Sequence, residues 1–165
     1  MIDGYGRTID YGRISVTDRC NLRCVYCMPE EGVGSISHEE ILRFGEIERV
    51  CQILAENGIQ KITLTGGEPL VRRRLPELAA ALKRIPGIKS LTITTNGVLL
   101  EEMYDALADA GVDSVTISLD TLDASVYRQL TRRDEIEAVR RGLRTAIQKG
   151  RMQIKINCVP VLGIE

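Results

Sequence analysis

Three cysteines, Cys20, Cys24 and Cys27, lie within eight residues in the segment DRCNLRCVYCMPEEG. The chain has five cysteines, so more than half are in this polar, irregular segment. In a reducing compartment, clustered cysteines more often bind metal or react than form disulfides. The Cys-x3-Cys-x2-Cys spacing therefore predicts a metal centre.

Three thiols are compatible with two kinds of metal centre. Structural zinc usually has four ligands, and the single histidine, His38, is the candidate for the fourth. A four-iron cluster is normally held by four cysteine thiolates, so three thiolates leave one iron with an open coordination position. A small molecule can bind at that position. The alternatives are thus a cluster with an open iron and a non-enzymatic Cys3His metal-binding module.

Short β-branched segments alternate with helical patterns, and this alternation must position the cysteines. The predicted strands are Arg13–Thr17, Lys61–Thr65, Ser90–Thr95, Ser114–Leu119 and Gln153–Val159. The predicted helices are Ser37–Gly58, with a capping box from Ser37 to Glu40, and Leu75–Arg84, Leu100–Ala110 and Asp134–Lys149. The segments LAENGIQKITLT and LADAGVDSVTIS repeat one helix–glycine–strand unit. Repeated βα units imply parallel strands, in a doubly wound sheet or a (β/α) barrel.

In both architectures, functional residues gather beyond the carboxyl ends of the strands. The unusual residues of this chain fall there: the cysteines after the first strand, GGEP (Gly66–Pro69) after the second, Asn96–Gly97 after the third, Ser118 and Asp120 at the end of the fourth, and Lys155 and Asn157 on one face of the fifth. We therefore expect one shared site at this edge of the sheet.

Composition narrows the class of protein. The chain has 165 residues, which suits one domain over 1–165, and 22 basic against 23 acidic residues do not indicate nucleic-acid binding. No apolar segment approaches the ~20 residues of a membrane span, and the N-terminal segment lacks the apolar core of a signal peptide. We expect a cytoplasmic protein. Cys51 is predicted in the core, and Cys158 is predicted to be buried behind the fifth strand.

The cysteine segment CNLRCVYC resembles the signature of the radical S-adenosylmethionine (SAM) enzymes, and GGEP after the second strand strengthens the resemblance. The segments DGYGRTIDYGRISVTDRCNLRCVYCMP, TLTGGEPLVRR, TTNG, SLDTLD and KINCVPVLG are similar, in order, to the GTP 3′,8-cyclases of molybdenum cofactor biosynthesis. The similarity runs from Asp3 to about Gly163. It implies an incomplete (β/α) barrel, a [4Fe-4S] cluster, SAM, an electron donor, and GTP as the substrate of a radical lyase.

The resemblance also implies roles for individual residues. By motif, the cluster ligands are Cys20, Cys24 and Cys27, the residues beside SAM are Tyr26, Gly67 and Ser118, and the residues facing GTP are Arg13, Thr94 and Lys155. Arg13 and Lys155 suit this role physically, because both are cations on predicted strands and a triphosphate attracts cations.

Two departures from the family affect the expected function. Thr63 stands where the family commonly has an arginine facing the nucleotide, which weakens the GTP assignment and leaves another radical SAM enzyme as an alternative. Family members also carry a second three-cysteine cluster, whereas Cys158 is the only later cysteine here. We therefore expect a fragment truncated after the fifth strand, inactive on GTP alone, that forms a homo-oligomer through its open edge.

Overall fold

One sheet of five parallel strands carries the site, and helices connect the strands. The computed structural model describes residues 2–161 except 35, 36, 38 and 39. The elements are β1 (Tyr11–Ser15), α1 (Phe44–Glu56), β2 (Lys61–Thr65), a 3-10 turn (Pro69–Val71), α2 (Leu75–Lys83), β3 (Ser90–Thr95), α3 (Leu100–Asp109), β4 (Ser114–Ser118), α4 (Ala124–Thr131), α5 (Ile136–Lys149) and β5 (Gln153–Asn157). Among the described residues, no helix is both long and apolar enough to cross a bilayer.

The strands lie side by side in chain order, β1-β2-β3-β4-β5, and every neighbouring pair is parallel. A doubly wound sheet reverses its strand order at a switch point, whereas sequential addition in one direction is the arrangement of a (β/α) barrel. The sheet is open, so the prediction of a partial (β/α) barrel is confirmed.

The two faces of the sheet differ in chemistry because side chains alternate along each strand. In β3, Leu91 and Ile93 are buried, while Thr92 and Thr94 are half-buried on the opposite face. The apolar positions of the strands form a single core cluster with apolar residues of the helices. Burial of this aliphatic face holds the helices against the sheet and leaves the hydroxyl-bearing face free for a ligand.

The repeated glycine unit of the sequence has the same geometry at both sites. Gly58 and Gly111 have φ values of +91° and +86°, which favour glycine because it lacks a Cβ. After each glycine, the next amide donates to a carbonyl five residues earlier: Ile59 to Leu54 at 3.0 Å and Val112 to Leu107 at 3.1 Å. Both helices thus end in one type of cap and turn directly into a strand.

The first helix begins later than predicted. It starts at Phe44, where the Glu46 carboxylate accepts a hydrogen bond from the Arg43 amide at 2.6 Å, and not at Ser37. Ser37 does donate its hydroxyl hydrogen to Glu40 at 3.0 Å, but this bond closes a local turn outside the helix. The capping pattern was therefore present without the helix that it usually begins.

Three further expectations were wrong. The helix α4 was missed between the fourth strand and α5. β1 lies two residues earlier than predicted, at Tyr11–Ser15. Cys158 is exposed, because β5 ends at Asn157 and the strand alternation used to bury Cys158 no longer applies there. Cys51 is fully buried on α1, as predicted.

Candidate active site at the carboxyl ends of the strands

A cavity of about 230 Å³ lies between the cysteine segment and the carboxyl ends of β2, β3 and β4. We call it the thiol cavity. It is lined by Arg13, Cys20, Leu22, Cys24, Tyr26, Cys27, Thr65, Gly66, Gly67, Glu68, Thr94, Thr95, Asn96 and Ser118. Residues at or just after the ends of the first four strands therefore line one cavity, whereas Lys155 and Asn157 of the fifth strand do not line it.

The missed helix α4 positions the cysteine segment. The backbone amides of Arg23 and Val25 donate to the carbonyls of Thr131 and Leu130, at 3.0 and 2.8 Å, at the C-terminal end of α4. The Arg132 guanidinium then donates to the carbonyls of Arg23 and Met28, at 3.1 and 3.2 Å. The carbonyls at a helix end need donors from elsewhere, and here the segment that carries the thiols provides them.

The three predicted metal ligands line this one cavity, Cys20 and Cys24 partly buried and Cys27 exposed. Burial raises the pKa of Cys24 to about 11 and also raises the pKa of Cys20. Without metal the Cys20 and Cys24 thiols hold their protons at neutral pH, so metal binding at these two residues must release protons.

Two metal centres were expected for the thiols, a four-iron cluster and a single zinc ion. Among the described residues, no group of three or more His, Cys, Asp or Glu side chains is arranged to hold one metal ion. A lone zinc binds its thiolates at about 2.3 Å, whereas a four-iron cluster is held by one thiolate on each ligated iron. Cys20, Cys24 and Cys27 line one cavity, so they could ligate three irons of such a cluster. His38, the fourth ligand of the zinc alternative, lies outside the described residues.

Gly67 allows two backbone segments to touch beside the cavity. A Cβ built at Gly67 would stand 2.3 Å from the Arg19 carbonyl oxygen. The Gly67 amide donates to the Thr17 carbonyl at 2.8 Å, and the Glu68 amide donates to the Arg19 carbonyl at 2.7 Å. GGEP is thereby joined to the residues just before Cys20.

Tyr26 contacts the carboxylate of Asp120, in the loop that follows β4. Its hydroxyl donates to Asp120, which follows β4, and the other Asp120 oxygen accepts from the Val159 amide at 2.9 Å. Burial and the Asp120 carboxylate together raise the pKa of Tyr26. The phenol thus stays neutral and links the cysteine segment to the ends of β4 and β5.

The hydroxyl-bearing face of the sheet lines a second cavity of about 590 Å³, which we call the strand-face cavity. Its lining includes Tyr11, Arg13, Lys61, Thr63, Thr92, Thr94, Thr116, Lys155 and Asn157. Arg13 and Lys155 supply positive charge, the Lys61 amine is paired with the Asp10 carboxylate at 2.9 Å, and Asp113 adds one carboxylate to the lining. Arg13 and Thr94 line both cavities, so the two adjoin.

All the predicted site residues line the thiol cavity except Lys155, which lines the neighbouring strand-face cavity. Sequence reasoning assigned no role to Glu68, Asn96, Asp120, Lys61 or Arg132, which connect or line these cavities. Asn96 and Asp120 carried a signal, because both follow predicted strands, but their partners are distant in the chain.

Comparisons with known proteins agree with this arrangement. The family model described as the radical SAM superfamily matches residues 14–165. A GTP 3′,8-cyclase of Petrotoga mobilis is 48% identical over 164 residues, which are 99% of this chain and 51% of that protein. A GTP 3′,8-cyclase of Pelotomaculum thermopropionicum is 52% identical over 163 residues, 99% of this chain and 50% of that protein. The chain spans about half the length of these relatives.

Solved structures share the fold. Streptococcus suis SuiB bound to S-adenosylmethionine superposes with a TM-score of 0.70 at 22% identity, over 90% of this chain and 32% of that one. The protein anSMEcpe with bound AdoMet gives a TM-score of 0.70 at 20% identity, over 90% of this chain and 41% of that one. With the family model matched along nearly the whole chain and the three thiols gathered at the carboxyl ends of a partial barrel, the chain belongs to the radical SAM superfamily.

Proposed function

We propose that this chain is the SAM-cleaving part of a GTP 3′,8-cyclase, in which Cys20, Cys24 and Cys27 hold a [4Fe-4S] cluster. One observation carries the proposal: the cavity that contains the thiols adjoins a polar, cationic cavity through Arg13 and Thr94. A ligand at the thiols and a second ligand over the strands would then meet. The high identity to two named GTP 3′,8-cyclases supports the choice of reaction.

The bound cluster and SAM would supply radical hydrogen abstraction, and the protein would bind and orient the reactants. Gly66 and Gly67 line the thiol cavity, and their backbone carbonyl groups would be offered to SAM, because the Gly67 amide already donates to the Thr17 carbonyl. Tyr26 and Ser118 line the same cavity and would bound the SAM site on its other sides. These three assignments, Tyr26, Gly67 and Ser118, remain predictions.

GTP would occupy the strand-face cavity. A volume of about 590 Å³ is within the usual range for a small-molecule site. Arg13 and Lys155 would bind phosphate oxygens, and the threonine hydroxyls of the strand face, Thr94 among them, would donate or accept hydrogen bonds. Thr63 is paired with Arg13 in the sheet and puts a hydroxyl where the family commonly has a cation. Lys61 lines the same cavity, but its amine is paired with the Asp10 carboxylate at 2.9 Å.

The remaining partners are proposed on chemical grounds. Reduction of the cluster needs an external one-electron donor. All five cysteines are free, which suits a reducing compartment such as the cytoplasm. The near balance of acidic and basic residues gives no reason to propose a nucleic-acid partner. We propose in addition that the chain self-associates through its open sheet.

A second candidate is a radical SAM enzyme with another substrate, and Thr63 favours it because one expected cation is missing. GTP binding separates the two candidates. With Lys155→Met, the affinity for GTP should fall about tenfold, since one charge-assisted hydrogen bond is lost. Lys89→Met, an exposed lysine outside both cavities, is the matched control. GTP affinity that is undetectable, or equal in Lys155→Met and the unmodified chain, would favour the other substrate.

The cluster itself is tested first. The chain is reconstituted anaerobically with iron and sulfide, and iron, sulfide and zinc are measured per chain. We expect about four irons, a brown protein, and 5′-deoxyadenosine when SAM and a reductant are added. A colourless protein that holds one zinc would instead support the Cys3His module.

A further inference from the structure

Glu68 is a carboxylate buried behind the cysteine segment, with 1% of its surface exposed. One oxygen accepts from the Leu70 amide at 2.9 Å and from the Thr95 hydroxyl at 2.7 Å. The other oxygen accepts from the Asn96 amide at 2.7 Å. All three bonds are donated to the carboxylate, which favours its charged form, although burial raises its pKa. Glu68 therefore ties GGEP, after β2, to the backbone of Asn96, after β3.

The side chain of Asn96 is fixed in one orientation. Its amide oxygen accepts from the Val98 amide at 3.1 Å, so its NH2 group faces the cysteine segment. That group donates to the Asn21 side-chain oxygen at 2.7 Å and lies 4.0 Å from the Cys20 sulfur, at the long end for a hydrogen bond to sulfur. An amide NH2 carries two hydrogens, one for each partner. The Cys20 sulfur also accepts from the Leu22 amide at 3.4 Å.

We propose that Asn96 donates a hydrogen bond to the Cys20 thiolate of the bound cluster, and that Glu68 is the positioning residue that holds Asn96 there. The inference rests on the proposed function, because it requires a cluster at Cys20. A reduced cluster carries more negative charge on its sulfurs, so a donor to a sulfur stabilises the reduced form. Asn96 and Glu68 would thus help the cluster to accept an electron.

The two effects available to Glu68 have opposite signs. As a buried negative charge it would oppose reduction of a nearby cluster, and its removal would make reduction easier. As the residue that positions Asn96 it would favour reduction, and its removal would make reduction harder. The direction of the change therefore separates a positioning role from a simple charge effect.

The test is a redox titration of the reconstituted full chain, followed by the electron paramagnetic resonance signal of the reduced cluster. In Asn96→Leu, the equilibrium constant for reduction should fall about fivefold, the size of one ordinary hydrogen bond. Asn96→Asp keeps the acceptor for Val98 but replaces the donor by a negative charge, so its constant should fall further. Asn57→Leu, at the end of α1 on the opposite edge of the sheet, should leave the constant unchanged.

Glu68→Gln tests the positioning role. In Glu68→Gln, the equilibrium constant for cluster reduction should fall as it does in Asn96→Leu. In the double variant that carries both changes, the constant should be no lower than in Asn96→Leu alone. Thr95→Val removes one hydrogen-bond donor to Glu68 and keeps the Glu68 charge. This variant replaces Glu68→Gln in the test if Glu68→Gln binds no cluster. Its equilibrium constant for reduction should also fall. A rise in Glu68→Gln overturns the positioning role.

The outcomes also separate this inference from the proposed function. If the unmodified chain takes up no cluster, the proposed function is wrong and this inference falls with it. If all variants bind a full cluster and the constants of Asn96→Leu and Asn96→Asp equal that of the unmodified chain, only the hydrogen bond to Cys20 is overturned.

Discussion

At the scale of single residues, the five cysteines divide by environment. Cys20, Cys24 and Cys27 line one cavity, Cys51 is fully buried among apolar residues of α1, and Cys158 is exposed beyond β5. Burial raises the pKa of Cys51 to about 11, which keeps this thiol protonated and unreactive. The same side chain thus serves as a predicted ligand or as a small core residue according to its position.

This division predicts which cysteines are needed for iron. Replacing Cys20, Cys24 or Cys27 by Ala should remove most of the iron bound after anaerobic reconstitution, because each contributes one thiolate. Cys51→Ala and Cys158→Ala are the matched controls and should retain full iron content. Iron loss in Cys51→Ala as complete as in Cys24→Ala would show that the ligands are assigned wrongly.

Gly67 gives a second prediction at this scale. In Gly67→Ala, the added Cβ would meet the Arg19 carbonyl at 2.3 Å, so the residues before Cys20 must move. We expect a loss of more than about 3 kcal/mol in the free energy of unfolding, measured by urea denaturation. Cluster content should fall as well, because the collision is with the cysteine segment.

Gly45→Ala is the control for this change. Gly45 lies in α1 with no atom within 4 Å of a built Cβ, so alanine there should stabilise the chain by up to about 1 kcal/mol. If Gly67→Ala is as stable as the unmodified chain, the close approach of the two backbones is not required.

At the scale of elements, α4 is the support of the cysteine segment. It is capped at its start by Asp123, whose carboxylate accepts from the Ser125 and Val126 amides at 2.8 and 2.9 Å. At its end, the carbonyls of Leu130 and Thr131 accept from the cysteine segment. A short helix between two strands thereby fixes the loop that carries the thiols.

Arg132, directly after α4, also holds the cysteine segment, and replacing Arg132 tests this role. Arg132→Ala loses two hydrogen bonds from a cation to the carbonyls of Arg23 and Met28, which should cost about 1–3 kcal/mol locally. The amides of Arg23 and Val25 should then exchange hydrogen for deuterium faster, and the reconstituted cluster should be lost sooner in air. Arg128→Ala, which removes an exposed ion pair with Asp134, should change neither rate. Equal exchange in both variants would contradict the role of Arg132.

At the scale of the whole molecule, the sheet has two outer strands. Within the described residues, β5 pairs with β4 alone and β1 pairs with β2 alone. On β5 itself, Ile156 is 48% exposed. An open strand edge with apolar neighbours favours pairing with another chain.

We therefore predict that the isolated chain self-associates. Sedimentation velocity should show species larger than a monomer that increase with protein concentration. Ile156→Lys should shift the distribution towards the monomer. Val50→Lys should not, although Val50 of α1 is also exposed, at 42% against 48% for Ile156. A strictly monomeric unmodified chain at high concentration would refute this prediction.

The strands and helices with a clear alternation or helical spacing along their whole length were predicted well. β2 and β3 have their predicted bounds, and α2, α3 and β4 differ from prediction by one residue at the C-terminal end, because strand alternation and helical spacing are local properties of the sequence. α1 was predicted too long because Ile41 continues its apolar spacing without belonging to the helix. α4 was missed because it is only eight residues long, although Asp123 offered a capping signal.

The sequence by itself determined the donor types and the edge of the sheet at which they lie. Thiol spacing, GGEP and the order of βα units are local, and parallel strands necessarily bring their carboxyl ends together. Only the tertiary structure decided how these residues are held: Glu68 to Asn96, Tyr26 to Asp120, and Arg132 to the cysteine segment. These partners are 28, 94 and 109 residues apart in the chain, and no periodic pattern encodes such pairs. They form because burial of the aliphatic face of the sheet fixes the positions of the strand ends, and polar groups buried at those ends need hydrogen-bond partners across the loops.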